Sequence, residues 1–155
     1  TAQHRVFVHR DFMLRNFMVT PEGLAVLDFQ DALFGPVSYD IASLLRDAFI
    51  SWNESFVLDM TIRYWEKARK VGIPIPTDFS EFYRDVEFMG LQRHLKVAGI
   101  FARLNYRDGK PKYLADTPRF IEYIRHTARR YIALSPLQHL IDNLEGSEAQ
   151  VGYAF

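Results

Sequence analysis

Three residues near the start of the 155-residue chain carry oxygen donors at a spacing that invites metal chemistry. Asp11 and Asn16 share one polar loop, His9-Arg10-Asp11-Phe12-Met13-Leu14-Arg15-Asn16, and Asp28 follows 12 residues after Asn16. Between Asn16 and Asp28 lie two β-prone runs, Phe17-Met18-Val19-Thr20 and Leu24-Ala25-Val26-Leu27-Asp28. Pro21-Glu22-Gly23 separates them, and Pro followed closely by Gly punctuates a hairpin. A hairpin this short returns its far end to its start. Asp28 is therefore expected beside the loop of Asp11 and Asn16. Two carboxylates and one amide oxygen, flanked by Arg10 and Arg15, make a hard, oxygen-only set. Such a set suits Mg²⁺, which takes one or two carboxylates and keeps positions for waters and phosphates.

The elements that must position this set follow from patterning. Arg5-Val6-Phe7-Val8 reads as a first strand, and Phe29 to Val37, with Gly35-Pro36, reads as a loop. Beyond it the helical period takes over. Ser38 or Asp40 caps a helix expected to reach about Ser51, with Ile41, Leu44, Leu45, Ala48 and Phe49 at helical spacing. A second helix is expected from about Glu54 to Val71, with Gly72 as its stop. A third opens with Asp78 and Glu81 in a capping-box pattern and runs to Tyr106. Gly90 and Gly99 inside it predict a kink or a close contact. Thr117-Pro118 and Ser135-Pro136 open two more helices, ending near Ala133 and Glu145. A small hairpin region followed by about five helices is an α+β, mostly α fold.

At the chemical residues a resemblance enters. His9-Arg10-Asp11-x-x-x-x-Asn16 resembles the catalytic loop of the protein-kinase-like superfamily, and Leu27-Asp28-Phe29 resembles its metal-binding segment. The helix-rich remainder is similar to the aminoglycoside phosphotransferase branch. Val8-His9-Arg10-Asp11-Phe12, Leu27-Asp28-Phe29-Gln30-Asp31-Ala32 and Gly35-Pro36-Val37-Ser38-Tyr39-Asp40 resemble the bacterial cell-wall amino-sugar kinases. Those enzymes phosphorylate the anomeric hydroxyl of N-acetylmuramate or N-acetylglucosamine in peptidoglycan recycling. The resemblance implies ATP as donor, Mg²⁺ as cofactor and a small-molecule sugar as acceptor. Phosphoryl transfer depends on positioning and charge neutralisation. Asp11 would then aim the acceptor hydroxyl, and Asn16 and Asp28 would hold Mg²⁺. Arg15 is a candidate to balance charge on the transferred group, and Asp31 to contact metal or substrate. His9 is expected to pack under the loop and bond its backbone. Asp40 resembles the family's helix-start carboxylate that braces the catalytic loop, although plain helix capping explains it nearly as well.

Gln30 stands where protein kinases have Gly, which removes backbone freedom and points to a constitutively poised metabolic enzyme. Only 11 residues separate Asp28 from Asp40, too few for an activation loop. No Gly-rich strand–turn–strand precedes His9, so residues 1–146 are expected to form a kinase-like C-terminal lobe. Its N-terminal nucleotide lobe lies outside this chain, and alone the lobe is expected to be inactive. Residues 147–155 lack any period and read as a loose tail.

Composition narrows the alternatives. Nineteen basic residues balance nineteen acidic ones, which argues against a dominant nucleic-acid or anionic-membrane surface. No apolar run approaches the roughly 18 residues of a membrane span. The absence of cysteine excludes disulfides, thiolate metal sites and a Cys nucleophile, and suits the cytoplasm. The five histidines show no zinc spacing. The aromatic content, 15% with 13 Phe, predicts thick helix packing or an aromatic-walled pocket. Gln92-Arg93-His94 reads as helix surface ahead of a second reading, that its helix helps line the acceptor cleft, and the basic cluster at 125–130 reads as a solvated helix face. Two alternatives remain at this point: an aminoglycoside kinase, which would need an acidic cleft for a polycation, and a non-catalytic binding module or pseudokinase fragment.

Overall fold

The computed structural model describes residues 3–47, 50–112 and 117–146. Among these, two antiparallel strand pairs precede five α-helices. The α+β, mostly α expectation is borne out.

Strand β1 (Arg5–Val8) pairs with β4 (Leu33–Pro36), with Phe7 opposite Phe34 and Val8 opposite Leu33. The second pair is the predicted hairpin, β2 (Phe17–Thr20) against β3 (Gly23–Val26). Gly23 takes φ of 126° at the turn, a conformation that L side chains rarely adopt. Two expectations need correction here. The run at 24–28 ends as a strand at Val26, because the chain must leave the hairpin and swing toward β4. Asp28 makes that swing in the left-handed region, at φ of 67°. The segment read as a loop contains β4. Gly35 and Pro36 look like punctuation, yet Pro is tolerated at the end of an edge strand. Gly35 also serves packing: a Cβ there would come within 2.8 Å of Val8 Cγ2.

Helix α1 (Tyr39–Leu45) is shorter than its period suggests. Arg46 leaves helical geometry, at φ of −114° and ψ of 44°. Its guanidinium pairs with Glu54 at 2.9 Å and with buried Glu87 at 3.7 Å. Burial alone would pull the Arg46 pKa down. The Glu54 bond and charge, with Tyr83 and Glu87, carry it above its ordinary value instead. Ala48 and Phe49, predicted helical, lie outside the described residues. Helix α2 (Glu54–Lys70) is capped by Asn53, whose side chain accepts from the Phe56 amide at 2.8 Å. Helix α3 (Phe79–Tyr106) starts at Asp78, which accepts from the Ser80 amide at 2.9 Å. Gly90 marks a close contact, since a Cβ there would meet Arg46 Cγ at 2.9 Å. Gly99 does not, with nothing within 4 Å.

The chain divides into two compact units, residues 1–93 and 94–155. The core of the first joins Val37, Ile41 and Leu45 to Val57, Phe82 and Val86, all buried. In the second, α4 (Thr117–Arg130) and α5 (Ser135–Glu145) bury Phe120, Ile124, Ala128 and Ile141. Helix α4 stops three residues before its predicted end, Ala133. Tyr131 is extended (φ −124°, ψ 117°), and a 3-10 turn at Ile132–Leu134 leads into α5. The predicted loose tail, 147–155, lies outside the described residues. No described helix is long and apolar enough to cross a membrane.

Candidate active site

The loop after β1 is held by side chains distant in sequence. The Asp40 carboxylate, in the first turn of α1, accepts two backbone amides: His9 N–H to Oδ2 at 2.7 Å and Arg10 N–H to Oδ1 at 2.9 Å. Both oxygens are thus used on the loop rather than on the helix's own amides. Arg10 needs this support. Its φ of 76° is left-handed, which costs a non-glycine residue about 1–3 kcal/mol unless the surroundings over-determine it. Its carbonyl accepts from the Arg93 guanidinium of α3 at 3.2 Å; the Ser43 hydroxyl of α1, which donates to the Tyr39 carbonyl at 2.9 Å, lies 3.4 Å away. Its guanidinium donates to the Asp31 carbonyl at 3.3 Å. Burial, and then the Asp40 charge, push the Tyr64 phenol above its ordinary pKa.

Asp11 follows Arg10 directly and is half-buried. The chain then makes a tight turn, with the Met13 amide on the Asp11 carbonyl at 3.0 Å, and enters a 3-10 turn at Leu14–Asn16. Asn16 joins the two halves of the site. Its side-chain nitrogen donates to the Asp11 carbonyl at 2.8 Å. That carbonyl can only accept, so the amide's NH₂ faces it and Oδ1 is left as an acceptor. The Asn16 carbonyl accepts from the Leu27 amide at 2.8 Å, one step past the hairpin ladder. Asp28 is therefore the next residue along from the one bonded to Asn16.

The segment after Asp28 closes on itself. The Ala32 amide donates to the Phe29 carbonyl at 3.0 Å, and Gln30 Nε2 donates to Asp28 Oδ1 at 2.6 Å. The Asp28 carboxylate keeps Oδ2 for other partners. Asp28, Gln30 and Asp31 are exposed, as is Arg15 in the last turn of the 3-10 segment. Among the described residues, no three acidic or histidine side chains converge as a metal cage. A donor set of one carboxylate and one amide oxygen, completed by water and phosphate, still fits Mg²⁺.

His9 differs from its expected role. Its ring meets Phe12 edge-on at 6.0 Å, and both ring nitrogens are buried with no hydrogen-bond partner among the described residues. The backbone bond at this position is made by the His9 amide instead. Ser43, Gln30 and Arg93 were not predicted as site residues. Ser43 had a legible signal, three residues after Asp40 and so on the same helical face. Arg93 had none, because its contact spans 83 positions. The reading of 92–94 as solvated surface is corrected for two of the three residues. Arg93 reaches the loop, and His94 is buried, stacked on Tyr123 at 4.8 Å.

The chain is similar in sequence to known proteins. Residues 1–74 match the phosphotransferase enzyme family. Across 155 residues, 99% of this chain, the sequence is 61% identical to the N-acetylmuramate/N-acetylglucosamine kinase of Neisseria meningitidis serogroup B, covering 46% of that protein. It is 53% identical to the kinase of the same name from Pseudomonas aeruginosa, over 95% of this chain and 44% of the relative. The Caulobacter vibrioides kinase of that name is 31% identical over 79% of this chain and 34% of the relative. The chain spans less than half the length of these relatives. The resemblance read from the catalytic motifs is thus borne out: the chain is similar to proteins named N-acetylmuramate/N-acetylglucosamine kinase, and its residues 1–74 match the phosphotransferase enzyme family.

Proposed function

We propose that the protein transfers a phosphoryl group from ATP to a hydroxyl of a small molecule, most specifically the anomeric hydroxyl of an amino sugar in cell-wall recycling. The observation that carries this reading is the braced loop. Asp40 and Asn16 tie Asp11 and the Asp28 segment into one constellation, in which Asp11, Asn16 and Asp28 keep acceptor oxygens for ligands. Asp11 accepts the hydrogen of the acceptor hydroxyl and aims its oxygen. Asn16 and Asp28 would hold Mg²⁺, which when bound neutralises phosphate charge. Gln30 steadies the Asp28 carboxylate. Arg15 and Asp31 are exposed at the edge of this constellation, where charge on the phosphoryl group and hydroxyls on the acceptor would meet them. The balanced charge of the chain favours a neutral or anionic acceptor over a polycationic aminoglycoside.

Residues 1–146 act in this reading as the acceptor-side lobe. The nucleotide lobe of the same protein supplies the remaining phosphate contacts. The cysteine-free composition suits a cytoplasmic setting, where ATP is available. The test is a phosphorylation assay on the full-length protein with ATP and Mg²⁺. N-acetylmuramate, N-acetylglucosamine and a panel of aminoglycosides serve as acceptors, and the product is located by phosphorus–proton NMR. Coupling at C1 of the sugar supports the proposal. Turnover of aminoglycosides alone, or of no hydroxyl acceptor, overturns it.

A further inference from the structure

The backbone of Arg10 is gripped at both ends. Asp40 takes its N–H, while Arg93 takes its carbonyl, with the Ser43 hydroxyl 3.4 Å from it. Asp40 and Ser43 belong to the same short helix, so they move with it as one body. Arg93 is the one grip on this carbonyl that comes from α3. Its guanidinium carbon sits 5.3 Å from the centre of the Tyr39 ring, beside Asp40, so a cation–π contact anchors the head group while one arm bonds the loop. The carbonyl it bonds belongs to the peptide group that links Arg10 to Asp11. Rotation of that peptide would re-aim the Asp11 carboxylate and relax the left-handed Arg10. We infer that Arg93 is a positioning residue, which locks the Arg10–Asp11 peptide and thereby aims Asp11 at the acceptor hydroxyl. The inference rests on the role proposed for Asp11.

Lysine cannot replace it. An ammonium is a compact point charge, without the extended fork that reaches the loop carbonyl from a head group resting over Tyr39. In the full-length enzyme, Arg93→Lys is expected to lower kcat by about 10- to 100-fold, the scale of a small misplacement of a reacting group. KM for ATP and for N-acetylglucosamine should stay within about twofold, and the melting temperature should be unchanged. Arg93→Ala should regain several-fold of its lost kcat in millimolar guanidinium, a probe that replaces the missing head group. A wild-type kcat for Arg93→Lys, or a kcat loss in Arg93→Ala that guanidinium leaves untouched, overturns the inference. Hydrogen exchange keeps this test separate from the functional reading. The amides of residues 10–13 should exchange faster in Arg93→Lys than in the wild type with no substrate present. If the wild type phosphorylates no sugar, the functional proposal fails, and the exchange result still decides. Equal exchange in the two proteins removes Arg93 from this role.

Discussion

Around Asp11 the backbone is fixed by polar side chains that arrive from elsewhere in the chain, beside the buried Val8 and Met13. In the α4–α5 region the weights are reversed. Phe120 and Ile124 are essentially fully buried, and Phe101 meets Phe120 edge-on at 5.3 Å. Polar contacts there bind helix to helix: Arg125 of α4 reaches Asp142 at 3.2 Å and also Glu145, both in α5. The two regions show two ways of making order. Burial holds a region together without caring about any one dihedral angle. A directed hydrogen bond contributes little net stability, yet it specifies where a single peptide points. Chemistry needs the second kind, and it is found next to Asp11.

If that division is right, mutations should separate activity from stability. The largest effect expected is that of Asp11→Asn in the full-length enzyme. Steady-state kinetics should find kcat reduced about 10²- to 10⁴-fold, with nucleotide affinity by calorimetry and melting temperature close to wild type. Wild-type turnover would break the assignment of the site. Phe120→Ala should do the opposite, costing about 3–5 kcal/mol in denaturant unfolding while the folded fraction keeps its kcat. Asp40→Asn sits between the two. It replaces one accepting oxygen with a donor that faces a backbone N–H, so both readouts should move, stability by about 1–3 kcal/mol. A change in stability alone would reduce Asp40 to a structural tie between loop and helix.

The smallest effect concerns a buried acid. In the second unit Asp142 has Arg125 at 3.2 Å, whereas Asp85 in the first has Arg84 only at 3.9 Å. Burial pushes the Asp85 pKa up, and the Arg84 charge offsets this only in part. The folded state therefore holds this proton more tightly than the unfolded chain. The stabilising contribution is complete below the ordinary aspartate pKa of about 3.9 and is lost as pH rises through the raised value. Chemical denaturation of Asp85→Asn across that window should show a flatter pH dependence than the wild type. An identical pH dependence would show that Asp85 is well compensated.

Much of this was legible along the chain. The hairpin, the capping residue Asp78 and the stop at Gly72 are local, and each announces itself within a few residues. The errors fall where distant partners act. Strand β4 was hidden because Gly35-Pro36 reads as a break until β1 lies alongside. Helix α1 ends at Leu45, where Arg46 turns to Glu54 and Glu87.

The sequence by itself determined the chemistry on offer: the residue types at 11, 16 and 28, their spacing, and the hairpin that brings the last back toward the others. Those are consequences of short-range chain geometry. Only the tertiary structure decided how the loop is held, with Asp40, Ser43 and Arg93 converging on one strained residue across as many as 83 positions. No periodicity records such a meeting, because the energy of a hydrogen bond depends on distance in space and not on separation along the chain.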